Sequence, residues 1–171
     1  HYHLLIHTPK GNLSRAMRHL NGVYTQKINY RYHFEGSLFR GRFKSIVIEK
    51  ESYFLELLRY IHQNPAKAKI SEKLEEYEWT SQRAYMNEKE CPEWLHTEEA
   101  LSRFGEYEKQ AKRELEAFVK KDIPKDVEKM FDRVKWPVVL GGKIFTTKIK
   151  EIIKGKKIKD YEVDCKKLLR Y

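Results

Sequence analysis

Three groups of residues in this chain have types and spacings that could do chemistry. The first is His1-Tyr2-His3. Two histidines separated by one residue on an extended strand point the same way. Both imidazoles can then reach one metal ion from one face. The alternative is a polar strand face. The second group is Tyr60-Ile61-His62-Gln63-Asn64, followed by Pro65. Tyr60 and Asn64 stand four residues apart and share a helix face. Together with Tyr53 they flank a stripe of Phe54, Leu57, Leu58 and Ile61, so a hydroxyl and a carboxamide can be presented beside a core. The alternative is a tyrosine at the core edge and an asparagine ending the helix. The third group is Leu38-Phe39-Arg40-Gly41-Arg42-Phe43-Lys44, where three cations alternate with aromatics around a glycine. Arginine makes bidentate phosphate contacts and aromatic rings stack on unpaired bases. A charged hairpin edge, protected from aggregation, would look similar.

The elements that must position these residues follow from pattern. Residues 1–7 read as a strand ended by Thr8-Pro9. Its alternation puts His1, His3, Leu5 and His7 on one face and Tyr2, Leu4 and Ile6 on the other. Asn12 is a plausible cap for a helix to about residue 30, with Leu13, Met17, Leu20, Tyr24 and Ile28 as its apolar stripe. Residues 43–49 alternate as a strand. A second helix is expected from about Glu51 to Asn64, because Pro65 disfavours a helical conformation at the residue before it. Shorter helices are expected over 79–86, 126–134 and 142–154, and a long one over 97–119. Strands first and helices later give an α+β class with a helical C-terminal tail.

Length and charge bound the possibilities. The 171 residues suit one domain or one domain with an appendage. A net charge of +10 fits a polyanion partner. Residues 1–50 hold nine Lys or Arg against two acids, 51–142 sixteen against nineteen, and 143–171 ten against four. The basic surplus therefore lies toward the two ends. No apolar run approaches the roughly 20 residues of a spanning helix. Two cysteines, Cys91 and Cys165, cannot form a four-cysteine zinc site. A reduced, cytoplasmic protein without a membrane partner is expected.

Taken in order, a His-x-His strand, a helix, a basic aromatic segment and a helix with Tyr-x-x-x-Asn-Pro resemble the single-tyrosine HUH transposases of the insertion-sequence-200 type. The nearest likeness is to the REP-associated tyrosine transposases. It is carried by His1-Tyr2-His3-Leu4-Leu5-Ile6, Thr8-Pro9, Gly11-Asn12-Leu13-Ser14, Gly36-Ser37-Leu38-Phe39, Gly41-Arg42-Phe43-Lys44-Ser45, Arg59-Tyr60-Ile61-His62, Asn64-Pro65 and Tyr77-Glu78-Trp79-Thr80-Ser81. It covers residues 1 to about 86. The resemblance implies a ferredoxin-like HUH nuclease sheet over residues 1–90, with residues 91–171 as a helical extension. In the family a strand, a helix and another strand precede and flank the His-x-His strand. The domain here is accordingly expected to be truncated at its N-terminus.

The resemblance also implies a mechanism. A divalent metal, Mg²⁺ or Mn²⁺, is held by His1, His3 and the Asn64 carboxamide oxygen, and acts as a Lewis acid on the scissile phosphate of single-stranded or hairpin DNA. Tyr60 attacks phosphorus and displaces a 3′-hydroxyl, leaving a 5′-phosphotyrosine that conserves the bond for strand transfer. A phenol at its ordinary pKa of about 10 is a poor nucleophile, so the metal and nearby cations must favour the phenolate. Arg40, Arg42 and Lys44, with Lys10 and Arg15, are the expected DNA contacts. A homodimer is compatible with this reading. Two other functions compete. One is a truncated or domesticated relative that binds hairpin DNA without cutting. The other is a metal-dependent hydrolase, which would need further His or Asp ligands on later strands, where only His96 follows.

Overall fold

The computed structural model describes residues 1–87, 91–131 and 139–154. In chain order the elements are α1 (Leu13–Tyr32), β1 (Val47–Ile48), α2 (Lys50–Lys67), α3 (Gln82–Met86), α4 (Glu98–Leu101), α5 (Glu108–Val119), α6 (Lys125–Phe131), β2 (Val139–Leu140) and α7 (Lys143–Lys154). The class is α+β. The chain divides into two compact units, each assembled from two stretches. One holds His1–Leu5 with Glu49–Trp136, the other Ile6–Ile48 with Pro137–Tyr171. The division expected at residue 90 falls among 88–90, outside the described residues.

The first unit is helical. Leu58, Tyr85, Ala100, Leu115 and Val119 form its core, and Leu5, Phe54, Phe104 and Phe118 pack against them. Helix α5 is a plain amphipath: Ala111, Leu115 and Val119 recur at helical spacing and are buried. Helix α2 is different. Leu57, Leu58, Arg59 and Tyr60 are consecutive and all buried, as is His62. Four successive residues cover a whole turn, so the middle of α2 is enclosed on every side, while its two ends are exposed. Its polar members each have a partner, although Arg59 Nε and His62 Nδ1 are buried without one among the described residues. Arg59 pairs with Glu56 and stacks over the Phe118 ring at 4.4 Å. The Gln63 amide donates to the carbonyls of Val119 and Lys121, the latter at 2.7 Å. Those are orphan acceptors at the C-terminal end of α5. His62, 0% exposed, has Nε2 2.9 Å from Ser81 Oγ, just before α3, and its ring meets Tyr85 edge-on at 5.2 Å.

The second unit holds the two-residue parallel ladder, Val47 opposite Val139 and Ile48 opposite Leu140. Helix α7 lays Ile149 against Val139, with Val47, Phe145, Ile152 and Ile153 around them.

Several expectations are corrected. Residues 1–7 form no strand, because they have no neighbouring strand to pair with among the described residues. Of 43–49, only Val47 and Ile48 are paired. Helix α2 does not stop at Asn64 but runs through Pro65 to Lys67. Pro65 has no N–H to give the Ile61 carbonyl, yet the helix closes beyond it, with the Asn64 and Pro65 carbonyls taken up by the amides of Ala68 and Ile70. The long helix over 97–119 is broken into α4 and α5. Gly105, at φ 148°, makes the break in a conformation that side chains disfavour. Asn12 precedes α1 without a side-chain cap bond. In the expected stripe of α1, Met17 is buried, but Leu20 and Tyr24 face solvent. The end of the helix expected to 134 lies outside the described residues.

Burial lowers the His62 pKa from its usual 6.5 to about 4, with a bond to Gln82 opposing the shift. Between those two pH values the unfolded chain binds the proton and the folded chain does not. Stability therefore rises with pH across this window and is lost as pH falls from about 6.5 to about 4. The loss is on the order of 3 kcal/mol. In urea melts at pH 7, 5.5 and 4, His62→Gln is expected to flatten this dependence. An equal slope in wild type and variant would assign the acid loss to carboxylates.

Candidate functional site

Four of the predicted residues meet in the first unit. The His1 and His3 rings approach edge-to-face, centroids 5.0 Å apart. The His3 ring in turn stands edge-to-face on Tyr60 at 5.6 Å. One turn further along α2, the Asn64 amide nitrogen donates to the Tyr60 hydroxyl at 3.5 Å. A continuous run, His1–His3–Tyr60–Asn64, thus joins an N-terminal segment to one flank of α2.

Local structure explains the meeting. Exposure along the first residues alternates even without a ladder: His3 and Leu5 are half-buried, while Tyr2, Leu4 and Ile6 are exposed. Leu5 packs against the core, which fixes the side on which His3 lies. On α2, His62 lies about 160° round the axis from Asn64, at 100° per residue. Its bond to Ser81 and its contact with Tyr85 therefore hold the helix by the face opposite the Tyr60/Asn64 flank. Tyr60 is 8% exposed and Asn64 half-buried.

Burial lowers the His3 pKa below its usual value. A neutral imidazole is the form that ligates metal. Two imidazoles and a carboxamide oxygen are a donor set that suits a divalent cation with positions left open. Among the described residues no group of three His, Cys, Asp or Glu is gathered for a metal, so a cation here depends on the Asn64 carboxamide. Lys67, beyond the site on α2, is engaged by Glu128. A cleft of about 630 Å³ lies elsewhere, among Tyr85, Cys91, His96 and Leu101.

The five expected DNA contacts lie in the second unit. Lys10, Arg15, Arg40, Arg42 and Lys44 are all exposed, and Phe43 is half-buried. Gly41, with φ 98°, supplies a left-handed turn between the two arginines. Arg59, His62 and Gln63, which hold the helix that carries Tyr60 and Asn64, stand within the sequence motifs but are not among the expected site residues. Compared with known proteins, the chain matches no family model, no curated protein and no solved structure.

A cation taken up by His1, His3 and Asn64 is expected to raise the melting temperature. At a hundredfold excess over Kd the gain is about 2.7 kcal/mol, or roughly 5–10 °C for a chain of this size. Mn²⁺ and Mg²⁺ titrations followed by calorimetry, on wild type, His3→Ala and Asn64→Ala, check it. A rise of the same size in all three would exclude this donor set.

Proposed function

We propose that this chain cleaves and joins single-stranded or hairpin DNA through a tyrosyl intermediate, as a relative of the REP-associated tyrosine transposases. The observation that carries the reading is the meeting of His1, His3, Tyr60 and Asn64. Separate segments contribute these residues, and little but a shared task would require the set. Bound between His1, His3 and the Asn64 oxygen, Mg²⁺ or Mn²⁺ would supply Lewis-acid polarisation of a phosphate. Asn64 orients the Tyr60 hydroxyl. The Tyr60 oxygen forms the bond to phosphorus, the bond to the 3′-oxygen breaks, and the phenolic proton leaves to solvent. The phosphodiester energy is kept in the phosphotyrosine until a 3′-hydroxyl attacks it. The second unit, with Arg40, Arg42, Lys44, Lys10 and Arg15, supplies the electrostatic grip on the strand.

A ferredoxin-like HUH sheet is proposed with this activity, along with cytoplasmic residence. What supports the sheet is the alternation of exposure along residues 2–6, with Tyr2, Leu4 and Ile6 each more than 40% exposed and His3 and Leu5 half-buried. Among the described residues no helix is long and apolar enough to cross a membrane. The second reading is a relative that grips hairpin DNA without cutting. The burial of Tyr60 favours it, because a nucleophile must be reached.

The two readings separate on a labelled single-stranded oligonucleotide with Mn²⁺. Wild type is expected to give a covalent DNA–protein adduct stable to denaturant. Tyr60→Phe should give none while binding with near wild-type affinity. Binding without an adduct in wild type would leave the gripping function alone. A normal adduct in Tyr60→Phe would move the nucleophile elsewhere.

The grip itself predicts a salt dependence. Arg42→Ala with Lys44→Ala is expected to reduce the slope of log K against log salt by about 1.4, two phosphate contacts on a single strand. Unchanged slope and affinity, beside a lowered melting temperature, would make these side chains structural.

A further inference from the structure

The exposed aromatic residues of the second unit are unused by the site above. Tyr24 is 51% exposed, Tyr32 53% and Phe34 61%. Single exposed aromatics are ordinary. These are paired. Tyr24 lies 6.2 Å from Phe39, and Tyr32 stacks on Phe34 at 6.1 Å with planes 25° apart. Tyr24 and Tyr32 are eight residues apart on α1, so about 12 Å separates the two pairs along the axis. Between them Lys27 and Arg31, four residues apart, share a face. Both are exposed, and neither forms an ion pair with a described residue. Arg31 also covers the Tyr32 ring at 5.7 Å.

The turn that carries the second ring of each pair is held by its own bonds. His33 takes the left-handed conformation, φ 55°, and ends the helix. The Phe34 amide returns to the Asn29 carbonyl at 3.0 Å. The Asn29 side chain donates to the Gly36 carbonyl at 2.9 Å, and the Ser37 hydroxyl to the Phe39 carbonyl at 2.8 Å. The backbone that carries Phe34 and Phe39 is therefore ordered before any binding.

We propose that the C-terminal half of α1 and the turn after it form a base-stacking platform for single-stranded nucleic acid, with Tyr24/Phe39 and Tyr32/Phe34 as stations for bases and Lys27 and Arg31 for the phosphates between them. The choice of ligand rests on the nucleic-acid reading above, but the platform does not depend on Tyr60. Charge decides against other occupants. From Tyr24 to Lys44 there are five Lys or Arg and a single acid, Glu35. A second copy docked on the same face would set these cations against each other. A polyanion with unpaired bases satisfies both the charges and the rings.

The test measures binding of the 171-residue chain to a fluorescent thymidine homopolymer and to an abasic strand of the same length. Tyr32→Ala and Tyr24→Ala are each expected to weaken binding to the thymidine strand roughly tenfold. Abasic affinity and salt slope should stay unchanged, and Tyr32→Phe should restore binding. Lys27→Ala with Arg31→Ala should weaken both strands and lower the salt slope. Unchanged thymidine affinity in the tyrosine variants overturns the platform. So does an equal loss on both strands, or a fall in self-association of the Tyr32→Ala chain. If the stacking losses appear while wild type forms no covalent adduct, only the Tyr60 reading fails. If the adduct forms and the tyrosine variants bind normally, only the platform fails.

Discussion

The first unit depends on how α2 is held. A helix buried on one stripe can roll by a few degrees at little cost. A helix buried all round cannot, because every rotation breaks packing somewhere. Three contacts set its angle: Leu58 in the core, His62 against Ser81 and Tyr85, and Gln63 across the end of α5. Leaving His62 or Gln63 unsatisfied would cost about 1–3 kcal/mol each. Tyr60 and Asn64 inherit this precision without supplying it. The buried charge of Arg59 is handled in the same spirit, paired to Glu56 on its own helix and laid on Phe118 of α5.

Much of the candidate site could be read from the sequence. The i, i+4 relation of Tyr60 and Asn64 is a property of the helix and survives any tertiary arrangement. The two histidine rings lie 5.0 Å apart, although the strand invoked to align them is not formed. Alternation of exposure along residues 2–6 does part of that work, with Leu5 as the anchor. The surroundings were less legible. Arg59, His62 and Gln63 are polar, and a polar residue declares itself buried only when its partner is known. Those partners, Ser81 and the carbonyls of Val119 and Lys121, lie far along the chain.

Element types were legible more often than their ends. Helices were recognised by period, and α5 shows why: its apolar residues are spaced for one face. Strands fared worse. A β-rich, alternating segment such as 43–49 forms a ladder only where a partner arrives, and only Val47 and Ile48 receive one. Proline and glycine worked in opposite ways. Pro65 was read as a stop and is tolerated within the last turn. Gly105 lay inside an expected helix and falls in the gap between α4 and α5.

The pairing of Val47 with Val139 also sets an order in time. The partner strand is made ninety-two positions after the first. At a synthesis rate of about 5–20 residues per second, Val47 and Ile48 wait roughly five to twenty seconds for it. Through that interval β1 is a bare edge, and the residues around Ile149 that will cover it do not yet exist. The first unit has the same property, since Leu5 must wait for the later helices that complete its core. Each unit is thus closed by chain made long after it was begun. The ladder of the second unit therefore closes only after the long stretch that makes most of the first unit has been synthesised.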